Sequence, residues 1–132
     1  MPARILIIED DSASRALVKY LLETAGYVTL DAEDGGAGAR LALEANPDLV
    51  ICDLQMPVMN GYEVVRYLRE HPLWRRVPMV AVTAFSMAGD RETALTAGFD
   101  QHLTKPIVPE TFVGQIEALL PTALWAGRGT RL

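Results

Sequence analysis

Five short apolar runs punctuate the chain, centred on Ile5-Leu6-Ile7-Ile8, Val28-Thr29-Leu30, Leu49-Val50-Ile51-Cys52, Met79-Val80-Ala81-Val82 and Gln101-His102-Leu103-Thr104. Several are unbroken rather than alternating and are rich in Val and Ile, which predicts strands of a parallel sheet covered on both faces. Between them the spacing turns helical. Leu17, Val18, Leu21, Leu22 and Ala25 form a stripe that Gly26 ends, and a second helix is expected from about Gly36 to Ala45, stopped by Asn46-Pro47. A third starts near Gly61 with Val64, Val65 and Leu68 inward and ends before His71-Pro72; a fourth, more polar, covers about Ala88 to Ala97 before Gly98. The last opens at Pro109, a residue suited to a first helical turn, buries Phe112, Val113, Ile116, Leu119 and Leu120, and meets Pro121.

Strand-helix alternation repeated five times predicts an α/β fold, a doubly wound five-stranded parallel sheet with right-handed crossovers. With 132 residues, half of them hydrophobic, the chain suits one compact domain. That domain is expected over residues 1–121, followed by a tail over 122–132 in which either Trp125 packs back on the body or two glycines leave the segment disordered.

Charge and composition narrow the function. Twelve basic against seventeen acidic residues give a net charge of −5, the wrong sign for a domain that lives on phosphate contacts to DNA or RNA. Cys52 is the only cysteine, which excludes an intramolecular disulfide and a zinc site built on several thiolates; beside the candidate nucleophile it reads as a small buried hydrophobe rather than a redox sensor. No apolar run approaches the ~20 residues needed to cross a bilayer, and the N-terminus has no signal-peptide pattern, so a cytoplasmic location without membrane contact is expected.

The candidate chemistry is positional. Four of the five apolar runs are followed directly by a polar residue: Glu9-Asp10-Asp11, Asp53, Thr83 and, after the fifth, Lys105. In an open α/β sheet the carboxyl ends of the strands line the crevice where ligands bind, so these residues should meet. Crowded carboxylates there repel one another unless a cation sits among them, and a hard divalent ion such as Mg²⁺, with Mn²⁺ as its substitute, prefers oxygen ligands. Asp10 and Asp53 are the expected direct ligands, with Glu9 acting through water. Thr83 and Lys105 offer a hydroxyl and an ammonium to the oxygens of a transferring phosphoryl group, and Asp53 is the expected nucleophile, forming an acyl phosphate. Ala84 is small enough to leave the approach open. Asp11 is read as a helix cap, His71 as a solvated residue at a helix end, and Gly35-Gly36-Ala37-Gly38 as a permissive turn opening the second helix, since no dinucleotide or P-loop pattern is complete.

With Glu9-Asp10-Asp11, Asp53-Leu54-Gln55-Met56-Pro57-Val58-Met59-Asn60-Gly61, Val82-Thr83-Ala84 and Lys105-Pro106 in order, the chain resembles the receiver domains of two-component response regulators over about residues 4–120. The resemblance implies a flavodoxin-like (βα)5 fold with strand order 2-1-3-4-5. It implies Asp53 as phosphoacceptor, Glu9 and Asp10 as the acidic pair, Thr83 and Lys105 as phosphoryl contacts, the backbone carbonyl of Gln55 as a third metal ligand, and a cis peptide between Lys105 and Pro106. The stretch from Ala81 to Met87 is similar to stand-alone cell-cycle receivers and to receivers attached to hybrid kinases. A histidine kinase or histidine phosphotransfer protein is the implied donor and a protein the implied downstream target, for a monomer or weak dimer.

One departure stands out. The family's switch aromatic, three positions before the lysine, is His102 here, and for it a switch role and a plain surface strand position stay open, with Phe85 as a substitute switch residue. Three other functions compete: an aspartyl-nucleophile phosphatase, disfavoured because Gln55 stands where such enzymes carry a second acid; a phosphorylation-independent scaffold; and a receiver fragment of a longer regulator or hybrid kinase.

Overall fold

The computed structural model describes residues 2–84 and 88–126. The strands are β1 (Arg4–Ile8), β2 (Val28–Ala32), β3 (Leu49–Asp53), β4 (Met79–Thr83) and β5 (Gln101–Thr104), and the helices α1 (Ser12–Thr24), α2 (Gly35–Ala45), α3 (Gly61–Arg69), α4 (Asp90–Ala97) and α5 (Pro109–Glu117). All pairings are parallel and the order is β2-β1-β3-β4-β5, as expected. Phe85, one of the expected switch residues, lies outside the described residues.

Because successive strand residues point to opposite faces, unbroken apolar runs feed two cores. Ile5, Ile7, Leu49, Ile51, Val80 and Val82 pack with Val18, Leu22, Phe112 and Ile116 of α1 and α5. Leu6, Ile8, Val50, Cys52, Met79 and Ala81 pack with Ala42, Val64, Val65, Leu68 and Ala94 of α2, α3 and α4. Each fully buried aliphatic side chain is worth about 1.5–3 kcal/mol.

Caps start the helices that border the site. Asp11 accepts from the Ser14 N–H at 2.9 Å, Asp34 from the Ala37 N–H at 2.8 Å, and Asn60 and Glu63 exchange reciprocal bonds of 3.0 Å in a capping box. Three sequence expectations are corrected here. The fourth helix begins at Asp90, not Ala88, because Gly89 takes a left-handed φ of 92° ahead of it. The fifth ends at Glu117, and Leu119 and Leu120 close a tighter turn by donating to the carbonyls of Ile116 and Glu117, both at 3.0 Å. Leu17 is exposed, since α1 meets the sheet through Val18 and Leu22.

Gly35 is required by close approach rather than by an unusual turn: a Cβ there would lie 1.9 Å from the Met59 carbonyl oxygen. The loop after β3 therefore rests on the start of α2. At the opposite end of the sheet, the Leu124 carbonyl accepts from the Ala3 N–H at 2.9 Å, and Trp125 Nε1 donates to the carbonyls of Glu117 and Leu120 at 3.0 and 3.1 Å. Residues 122–126 thus form a strap on the body, over a buried pair in which the Tyr27 hydroxyl donates to Glu117. No described helix is long and apolar enough to cross a membrane.

Candidate functional site

Parallel register aligns the strand ends, and the polar residues that terminate the apolar runs arrive at one edge. Ile8 is level with Cys52, Asp53 with Val82, and Thr83 with Thr104, which is followed by Lys105. Glu9, Asp10 and Asp53 each present a carboxylate oxygen within 4.8 Å of the others; Asp10 is exposed, whereas Glu9 and Asp53 are buried. Lys105 Nζ lies 2.7 Å from Glu9 Oε1 and 3.4 Å from Asp53 Oδ2. The Lys105 N–H donates to the Thr83 carbonyl at 2.8 Å, and the peptide to Pro106 is cis.

Asp53 sits at the last position of β3, where its Oδ1 accepts from the Gln55 N–H at 3.2 Å. Gly61 lets the following loop close over it: a Cβ at Gly61 would come 2.5 Å from the Asp53 carbonyl oxygen. Glu9 Oε2 accepts from the Asp11 N–H at 3.1 Å. Thr83 is buried at the end of β4, with exposed Ala84 next to it. Asp11 turns its carboxylate to Ser14, whose side-chain and backbone contacts hold it below the usual carboxylate range.

The electrostatics are unbalanced in favour of a bound cation. Burial, and then contact with Asp53, push the Glu9 carboxyl up to about 7, although Lys105 pulls the other way. Burial alone would lower Lys105, but its bonds and charge interactions with Glu9 and Asp53 outweigh that and raise it. Burial, followed by the charges of Asp53 and Glu9, pushes the Cys52 thiol up, and its Sγ sits 3.4 Å from the Asp53 carbonyl oxygen. An all-oxygen donor set in which one member holds its proton too tightly fits a hard divalent ion, which relieves the same repulsion without a proton.

Residues 5–117 match the response regulator receiver domain family. The chain belongs to that family. Among its relatives is the polar-differentiation response regulator DivK of Brucella anthropi, 36% identical over 123 residues that cover 93% of this chain and 100% of DivK. The receiver's fold is similar to that of the chemotaxis protein CheY4 of Vibrio cholerae, with a TM-score of 0.85, 29% identity, and coverage of 91% of this chain and 100% of that one. It is also similar to the receiver domain of the sensor histidine kinase PA1611 of Pseudomonas aeruginosa, whose structure has a magnesium ion coordinated in the active site cleft (TM-score 0.82, 30% identity, 90% and 98% coverage). The receiver is thus a signalling domain of two-component systems rather than a turnover enzyme, and members of its family stand between histidine kinases and downstream targets.

Two features of the site escaped the sequence. Arg15 donates through Nη1 to the Glu9 carbonyl at 2.8 Å while its Nε and Nη2 lie 3.4 and 3.6 Å from Asp31 and Glu33, so it braces the acidic end of β1 from α1. Its only sequence signal is a cation one turn into the helix that follows an acidic strand end. The second is the burial of His102: the sequence names this residue at the switch position without showing that α4 covers its face of β5.

Proposed function

We propose that Asp53 is the phosphoacceptor of this receiver, and that a histidine kinase or histidine phosphotransfer protein is the donor. An Asp53 carboxylate oxygen attacks the phosphorus of a phosphohistidine; the P–N bond breaks, the imidazole leaves with the bond's electron pair and takes up a proton, and an acyl phosphate forms. Lys105, already 3.4 Å from Asp53, neutralises charge on the phosphoryl oxygens, and the Thr83 hydroxyl donates to another of them. Hydrolysis by water at the same phosphorus resets the switch, so phosphorylation and dephosphorylation are both the receiver's own chemistry. Asp10, Asp53 and the Gln55 carbonyl would hold Mg²⁺, or Mn²⁺, with Glu9 acting through water. When bound, the ion supplies positive charge to the attacking carboxylate and the transferring oxygens.

The observation that carries this reading is the shared cation: one lysine placed against both Glu9 and Asp53, beside a third carboxylate. Phosphorylation adds roughly −1.5 to −2 charge at Asp53 and draws Thr83 toward it, which biases α4, β5 and α5 toward a second arrangement and changes affinity for a protein target.

The deciding experiment is intact-mass spectrometry after incubation with acetyl phosphate, for the wild type and Asp53→Asn, with and without Mg²⁺. One phosphoryl adduct that needs both Asp53 and Mg²⁺ is expected. Its absence on folded wild-type protein would sink the proposal in favour of a phosphorylation-independent scaffold.

A further inference from the structure

His102 lies on β5 in register with Ala81, two residues before Thr83 on the same face of the sheet, and α4 packs over that face. The residue is 8% exposed, and its Nε2 is the only buried side-chain nitrogen or oxygen among the described residues without a hydrogen-bond partner. Leaving such an atom unpaired forfeits its hydration with nothing in return, so an imidazole here is a burden that a purely apolar ring would not carry. The charged groups that face it come from α4: Asp90 favours the imidazolium and Arg91 opposes it. Strand β4 brings none, since Met79–Thr83 has no ionisable side chain. Arg91 is itself held by Gln101, whose Oε1 accepts from Arg91 Nη1 at 2.9 Å and from the His102 N–H at 3.0 Å.

We propose that His102 makes the α4–β5 face respond to protons as well as to phosphorylation: the neutral ring stays inward beneath α4, and the protonated ring turns out to solvent and loosens the start of that helix. The neutral ring forfeits one hydrogen bond by staying in, whereas the imidazolium has two donors and a full charge to solvate, a far larger cost under α4. Burial outweighs Asp90 and holds the imidazole below its ordinary value of 6.5, in keeping with this. The proposal rests on the phosphoacceptor reading only for its second half. If phosphorylation draws Thr83 away and favours the inward ring, then by linkage it weakens proton binding at His102, and acid in turn opposes the phosphorylated arrangement.

The test is a pH titration of the free protein by NMR, following the ring signals of the chain's two histidines, with His71→Gln to assign them, and the backbone amides. The expected result is a His102 midpoint below 6.5 with the α4 and β5 amides shifting at the same midpoint, and loss of those amide shifts in His102→Phe, or in His102→Gln should the first variant not fold. Beryllium fluoride with Mg²⁺, as a phosphoryl mimic, is expected to weaken proton binding at His102 by at least about twofold. A midpoint at or above 6.5, or α4 amide shifts that persist in the variants, would overturn the proton switch. Failure of beryllium fluoride to bind would count against the Asp53 reading alone, because the free-protein titration decides the proton switch by itself.

Discussion

Each end of the sheet buries a carboxylate, and the two are treated in opposite ways. At the carboxyl ends of the strands Glu9 faces Asp53, and the two share the ammonium of Lys105. At the other end Glu117, equally buried, accepts from the Tyr27 hydroxyl under the strap that Leu124 and Trp125 lay across the first strand and the last helix. The second arrangement is closed: a neutral donor from the chain answers the acid and apolar surface covers it. The first is open, with a like charge as the neighbour. The difference teaches where a ligand belongs, because a buried group that the chain leaves at odds with its neighbours gains most from an outside cation.

The comparison breaks most sharply at Lys105. Lys105→Ala leaves the acids without their shared cation, and the rate of phosphoryl transfer from acetyl phosphate should fall about 10²–10³-fold, as when one fixed donor is lost from a charge-stabilising site. Time-resolved intact mass gives the rate, and thermal melting checks that the fold is intact. At the closed end, Trp125→Ala removes the strap's anchor and should cost about 2–4 kcal/mol in urea unfolding. Its phosphorylation rate should match the wild type; a parallel loss of rate would mean that the two ends are coupled.

A smaller effect separates the ends by pH. Since Glu9 is raised from 4.5 to about 7 in the fold, the folded chain keeps a proton that the unfolded chain has released between those values. Stability from this group is therefore present below the unfolded value and lost as pH rises through the folded one. Denaturation curves across that range should show the decline, and Glu9→Gln should flatten it. Mg²⁺ competes with the same proton, so its affinity should rise by up to about tenfold from about pH 6 to about pH 8; calorimetry with no such rise would contradict the assignment. The smallest effect is at Val58, a β-branched residue at φ 69° and 86% exposed on the loop after β3. Val58→Gly should stabilise the chain by about 0.5–1 kcal/mol by relieving left-handed strain, and a loss of stability would show that the loop needs the side chain.

Most of the fold was legible because the parallel strands are apolar on both faces, and unbroken Val and Ile runs mean little else when helical stripes alternate with them. The site was legible for the same reason: a polar residue closing an apolar run is conspicuous. The rest was hidden in long-range geometry. Gln101-His102-Leu103-Thr104 is too short and mixed to say which face α4 covers, so the burial of His102 had no local signal. Glu117 and Tyr27 are ninety positions apart and meet only through the fold. Gly35 looked like a turn former because the Met59 carbonyl that it admits lies on another loop. The strap depended on whether Trp125 found carbonyls at the end of α5, which composition does not reveal.

Cys52, the chain's only thiol, is fully buried on the central strand with its proton held tightly. An alkylating reagent can reach it only when β3 is parted from its neighbours, so the labelling rate becomes a clock for opening of the sheet. Run with and without a phosphoryl mimic, that clock reports how far occupancy of the site slows the breathing of the strand that carries Asp53. A cysteine introduced on the surface would label long before it, giving probe chemistry a single address on the native protein.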